Sequence, residues 1–242
     1  MILAVSRDCA EYLLQMGTPP QKVHVAYDHL DTGSIRKRLE LHRTSGSKAL
    51  PFGASHPVVG IIGRITAYKQ QDLFLRAIPF VLAGCPDARF VVVGSAIDRE
   101  KEYERGLREL AQRLGIANQV TFMGYRQDAV EIMSELCACC LTSAREPFPR
   151  TILEAQFIGC PVVASNTGGC PEMVQDGLNG LLFPVASINA PENLASQVLR
   201  LLKDRPLAAG LSRRAQQELE TGLSTITPVL QFERLLYSLA KT

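Results

Sequence analysis

No stretch of the 242 residues approaches the run of about 18 apolar residues that a membrane-spanning helix needs. Net charge is only +2, so charge gives no reason to expect a nucleic-acid partner. The opening residues, MILAVSRDCAEYLL, hold neither a basic segment nor a small-residue cleavage pattern, which sets the expectation of a cytoplasmic protein. G-x-G-x-x-G does not follow the first strand of the main alternation, and G-x-x-x-x-G-K-[ST] occurs nowhere. A dinucleotide fingerprint and a P-loop therefore both lose support. His24, His29, His42 and His56 are not at ligand spacing. Cysteines number seven, an odd count, with Cys137, Cys139 and Cys140 crowded into CACCLTS. Strand alternation puts Cys137 and Cys139 on one face, and no second cluster completes a tetrahedral set. The expectation is reduced, packed thiols and no metal.

Apolar residues make up 46% of the chain and charged residues 21%, an ordinary globular balance. From residue 57 onward, short apolar runs alternate with helical patterns. The runs PVVGIIG, ARFVVVG, QVTFMG, CACCLTS, CPVVAS and GLLFPV are continuous, as in strands covered on both faces. Residues 97–115 read as an amphipathic helix with Tyr103, Leu107, Leu110 and Leu114 on one face and Gly115 at its end. Residues 70–82 read as another, interrupted by Pro79. This pattern predicts an α/β fold: a Rossmann-like parallel sheet of about six strands with helices on both faces. Ligands of such sheets sit at the carboxyl ends of the strands.

The first 45 residues stand apart. MILAVS and KVHVAYD read as strands, with Ser6 capping a helix that ends at Gly17. The basic stretch RKRLELHRTSGSKALPFGASHP, residues 36–57, reads as a linker from its Gly, Ser and Pro content. From Asn193 the chain reads as helical throughout, with Pro206 and Pro228 in first turns.

The strand ends carry the chemistry. GRITAYKQQD places Arg64 and Lys69 around a short loop leading into a helix, an arrangement suited to an anion, although two solvated cations have the same spacing. Gly94 in GSAIDRE allows close approach of a ligand or of backbone. In GYRQDA, Tyr125 or Arg126 can lie against a flat ring, or the segment is a plain turn with Asp128 capping the next helix. Gly168 and Gly169 in NTGGCPEM offer tight approach and free N–H groups, or simply a turn. AREPFPRTILEAQFIGCPVVAS sets Glu146 before a helix and Glu154 one turn inside it. The N–H groups from Phe148 to Thr151 lie between them. A diphosphate fits those donors with Arg64 and Lys69 opposite, and a carboxylate can accept both hydroxyls of a ribose diol. Either acid alone reads more simply as a cap or an exposed helical residue.

With these residues in hand, the chain resembles the retaining glycosyltransferases of family 4, whose GT-B fold faces two Rossmann-like domains. GRITAYKQ, VVVGSA, VTFMGYR, EPFPRTILEA, CPVVASNTGGCPEMV and DGLNGLLF carry the resemblance, in order, across roughly residues 57–185. It implies a donor site for a UDP-, GDP- or ADP-sugar, without metal or other cofactor. Arg64 and Lys69 would hold the diphosphate, Glu146 the sugar near the reacting centre, and Glu154 the ribose. Phe148, Pro149, Arg150 and Thr151 would line the sugar and phosphate through their backbone. Tyr125 and Arg126 would line the base, and Gly63, Gly94, Gly168 and Gly169 would shape the cleft. Pro149 departs from the family's usual glycine, and His29 in YDHLD replaces another.

The resemblance also divides the chain. Residues 1–45 match a remnant of an N-terminal acceptor domain with its hinge, 46–222 the donor domain, and 223–242 a helix that would cross back. That last segment, TPVLQFERLLYSLA, carries Val229, Phe232, Leu235, Leu236 and Leu239. Only the last strand-helix-strand unit of the acceptor half is legible, so residues 1–30 should present apolar surface. Transfer of a hexose to a sugar, lipid or small-molecule acceptor is the expected reaction. A nucleotide-sugar-binding module or split enzyme, paired with a chain that supplies the missing half, is the rival. A membrane surface at the inner face is a further partner the family allows. A glycoside hydrolase using both acids fits poorly: it needs one carboxyl with a raised pKa, and a cationic slot beside Glu154 should lower it.

Overall fold

The computed structural model describes residues 1–28, 30–52 and 56–220. His29, Pro228 and the expected crossing helix lie outside the described residues. β1 (Ile2–Ala4), α1 (Arg7–Gln15) and β2 (Val23–Val25) form the N-terminal unit, a small parallel sheet. Ser6 caps α1 by accepting the Cys9 N–H at 3.1 Å. Met1, Ile2, Leu3 and Val5 are exposed, so this unit offers apolar surface.

α2 (Thr32–Ser45) occupies most of the stretch expected to be a linker. Asp31 caps it by accepting the Ser34 N–H at 3.0 Å, and Gly46 closes it in a left-handed conformation. The helix exists because it docks. Ile35 and Leu39, four residues apart, are buried with Val130 and Phe157. Arg38 grips Glu131, with its Nε at 2.9 Å from Oε1. A dense run of cations had hidden a two-residue apolar stripe.

The main body follows as β3 (Val58–Ile62), α3 (Gln71–Gly84), β4 (Arg89–Val93), α4 (Lys101–Arg113), β5 (Val120–Gly124), α5 (Ala129–Ser134), β6 (Ala138–Leu141), α6 (Arg150–Ile158), β7 (Val162–Ser165), α7 (Cys170–Met173), β8 (Leu181–Phe183), α8 (Ala190–Lys203) and α9 (Arg205–Glu220). All six strands of the large sheet are parallel, in the order β5-β4-β3-β6-β7-β8. Every residue of β3, β6 and β7 is buried, which is why their sequences are continuous rather than alternating. Val59, Ile61, Phe90, Val92 and Cys140 meet α3, α4 and α8 on one face. Val58, Ile62, Val91, Val93 and Cys139 meet α5 and α6 on the other. The helix expected from residue 97 begins instead at Lys101, after a short 3₁₀ turn over Asp98–Glu100.

Cys139 and Cys140 are buried, and burial pushes the Cys139 thiol up to about 12 and Cys140 well above its usual value. Cys137 departs from expectation. It precedes β6 and is exposed, so it does not share a packed strand face with Cys139. Among the described residues no helix is long and apolar enough to cross a membrane, and no group of three or more His, Cys, Asp or Glu side chains could hold a metal ion.

Candidate donor site

The chain runs outward from β3 through β4 to β5, then returns to β6 beside β3. A crevice opens where strand order reverses, beyond the carboxyl ends of β3 and β6. Two loops meet there. The loop after β3 carries Arg64 and Lys69, and the loop after β6 carries Glu146.

The loops are fastened together. Ala144 donates its N–H to the Tyr68 carbonyl at 2.8 Å. The Thr142 hydroxyl lies 2.8 Å from the carbonyl oxygens of both Lys69 and Gln70. The Gln71 side chain donates to the Arg64 carbonyl at 2.9 Å. Gln70 is the one non-glycine among the described residues with positive φ, at 49°. Backbone strain of this kind persists only where neighbours over-determine it; here Thr142 holds the carbonyl.

Lys69 and Glu146 then meet, with Nζ 2.7 Å from Oε2. Ser143 donates to the same Oε2 at 2.9 Å, and Glu146 is only 8% exposed. Ser143 is itself held through its carbonyl by the Ser165 hydroxyl at 2.8 Å. A buried carboxylate needs such partners, since an unpaired one carries a large desolvation cost. Arg64 differs: it is exposed and has no side-chain partner among the described residues. The expected pair of cations is therefore one engaged lysine and one free arginine.

Gly168 and Gly169 do allow close approach, but to the chain itself. A Cβ on Gly168, where φ is +57°, would lie 2.5 Å from the Glu146 carbonyl oxygen, and one on Gly169 would lie 2.2 Å from that of Pro147. The Gly169 N–H is not free as expected, because it donates to the Glu146 carbonyl at 2.8 Å. The glycines thus fix the backbone that presents Glu146.

α6 starts at Arg150 with Pro149 in the cap position, one residue inside the span expected to supply N–H groups. Pro149 has none, and the Arg150 N–H is spent on the Phe148 carbonyl at 3.1 Å. Thr151, in the first turn, keeps an N–H with no intrahelical acceptor. The Arg150 side chain faces Asp28 at 3.6 Å. Glu154 is half-buried. Burial pushes its carboxyl up, with Arg150 and Arg38 pulling it partly back. The cations that act on it are Arg150 and Arg38 rather than the expected slot of Arg64 and Lys69, and desolvation outweighs both.

A second hollow, of about 340 Å³, opens at the ends of β3, β4 and β5. Gly63, Arg64, Gly94, Ser95, Tyr125 and Arg126 line it. Gly94 has φ +140°, and a Cβ there would lie 1.9 Å from the Gly63 carbonyl oxygen, so only glycine lets the two strand ends approach. Tyr125 is 72% exposed and free to receive a ring. Arg126 donates to Asp128 at 2.7 Å, which holds that carboxyl below its usual range. Asp128 stands at the cap position of α5 yet makes no side-chain cap bond. Sequence reading passed over Ser143, whose only signal is a hydroxyl three residues before an acid, and Ser95, which carries none.

A six-stranded, doubly wound parallel sheet with helices on both faces is the architecture found in GT-B glycosyltransferases. The chain belongs to the group 1 glycosyl transferases, whose family model matches residues 56–204. It is 31% identical over 206 residues to D-inositol 3-phosphate glycosyltransferase of Mycobacterium marinum, covering 84% of this chain and 42% of that protein. The chain thus spans less than half the length of that relative. The structure of Anabaena HepE in complex with UDP and glucose superposes with a TM-score of 0.84 at 28% identity, covering 98% of this chain and 63% of HepE. The C-terminal domain of a group 1 glycosyl transferase from Francisella tularensis has the same fold, with a TM-score of 0.65 over 81% of this chain and all of that domain.

Proposed function

We propose that the chain is the donor-binding part of a retaining, family-4-type glycosyltransferase, moving a hexose from a nucleoside-diphosphate sugar to a sugar, lipid or small-molecule acceptor. The Lys69–Glu146 pair at the β3/β6 switch carries this reading, because it joins a cation and an acid where the diphosphate and sugar of a donor would meet. UDP is the first nucleotide to test, since HepE crystals hold UDP and UDP-glucose.

In the proposed reaction the bond between sugar C1 and the diphosphate oxygen breaks, and its electron pair leaves with the diphosphate. Lys69, already held in place, neutralises that charge without reorganising, and the exposed Arg64 and the Thr151 N–H at the start of α6 close on it as the donor binds. Glu146 stands beside the reacting sugar, Glu154 accepts the ribose hydroxyls, and the base enters the hollow below Tyr125. The acceptor hydroxyl forms the new bond at C1, and its proton passes to the departing diphosphate oxygen. A second reading is a donor-binding module or split enzyme that works with a chain supplying the acceptor half. The exposed Ile2, Leu3 and Val5 give such a partner, or a membrane surface, an apolar face to meet.

Calorimetric titration with UDP, GDP and ADP tests the donor reading. One nucleotide should bind in the micromolar-to-millimolar range and lose that binding in Arg64→Ala and in Glu154→Ala. Absence of binding by all three, in folded protein, rejects it.

A further inference from the structure

The N-terminal unit grips the donor site at points that its role as a fragment of another domain does not require. α1 leaves its first N–H groups in need of acceptors. Ser6 takes the Cys9 N–H. The Arg7 and Asp8 N–H groups donate instead to Glu172, at 2.9 and 3.0 Å, one to each carboxylate oxygen. The Tyr27 hydroxyl donates to the same carboxylate at 3.0 Å. One side chain from α7 thus caps α1 and binds the end of the β2 segment, with its negative charge at a helix N-terminus.

Glu172 sits three residues beyond Gly169, whose N–H holds the Glu146 carbonyl. From the other side, Arg145 donates through Nε and Nη2 to Asp8 at 3.1 and 3.0 Å. The Tyr27 ring lies 5.9 Å from that of Phe148. Residues 145–148, on both sides of Glu146, are therefore held between the Gly168–Gly169 turn with α7 and the N-terminal unit.

We propose that Glu172 is a positioning residue: it locks the N-terminal strand-helix-strand unit onto the 145–148 segment and thereby sets where Glu146 stands. The role of Glu146 toward a sugar rests on the donor reading above; the lock itself does not. A carboxylate that served only α1 would leave the 145–148 segment indifferent to its removal.

Two readouts on the whole chain separate these cases. Hydrogen exchange of the peptide spanning 144–151 should quicken by roughly tenfold in Glu172→Ala, the loss of about one charge-assisted hydrogen bond, while β4 stays protected. Glu172→Gln, which keeps acceptor oxygen but not charge, should fall between. Tyr27→Phe removes one bond only and serves if Glu172→Ala does not fold. In titrations, the same variants should weaken UDP-glucose several-fold more than UDP, since only the sugar reaches Glu146. Quickened exchange confined to residues 6–16, or equal weakening of both ligands, overturns the proposal. If the unaltered chain binds neither ligand, the donor reading fails, and the exchange measurement still decides the lock.

Discussion

The two ends of the candidate cleft are built on opposite plans. At the β3/β6 end, Lys69 and Glu146 are paired, largely buried and supported by Ser143, Thr142 and the Gly168–Gly169 backbone. At the β4/β5 end, Arg64 and Tyr125 are exposed, with no partner for the Arg64 side chain among the described residues. The difference teaches where order is needed before a ligand arrives. Charge development during bond cleavage rewards groups that do not have to reorganise. Stacking a base on an open ring tolerates a side chain that settles on contact.

Breaking the buried end should cost most. Lys69→Met leaves Glu146 without its cation in a dry site and should lower unfolding free energy by roughly 3 kcal/mol in urea titration. Adding Glu146→Gln to that variant should recover much of the loss; no recovery would mean the two do not act as a pair. Gly169→Ala follows, with about 2 kcal/mol expected from the collision with the Pro147 carbonyl. Gly169 has φ −79°, so contact alone is at issue, and Gly106→Ala, where a Cβ meets nothing within 4 Å, should cost nothing; a loss there as large as at Gly169 would contradict the collision.

At the open end the signature reverses. Tyr125→Ala should leave stability within about 0.5 kcal/mol and weaken nucleotide binding by roughly tenfold. A large fall in melting temperature would contradict the idea that this ring waits for a ligand. The smallest effect belongs to Glu154. Its folded carboxyl is raised by burial, so ionising it opposes folding, and that penalty grows as pH rises through the ordinary carboxylate value toward the raised one. Glu154→Gln should therefore leave stability unchanged at low pH and raise it slightly at neutral pH, while nucleotide affinity falls. A variant that loses stability at neutral pH would reverse the sign.

Much of this was legible in sequence because the sheet is buried on both faces. Six continuous apolar runs announced six parallel strands, and the strand ends then named Arg64, Lys69, Glu146 and Tyr125. α2 was hidden because its apolar stripe is only Ile35 and Leu39 amid cations, and its stability comes from Arg38 meeting Glu131 far along the chain. The shift of Glu154 was likewise out of reach, since charge spacing is written in sequence and desolvation is not. Glu172 read as part of a turn; its partners lie more than a hundred residues away.

A crystal structure of the chain with saturating UDP tests the central claim most directly. The diphosphate should lie within hydrogen-bonding distance of Arg64 and Lys69, with uracil in the hollow formed by Gly63, Gly94 and Tyr125 and the ribose at Glu154. UDP bound away from these residues, or a nucleotide turned so that the base meets Glu146, would contradict it.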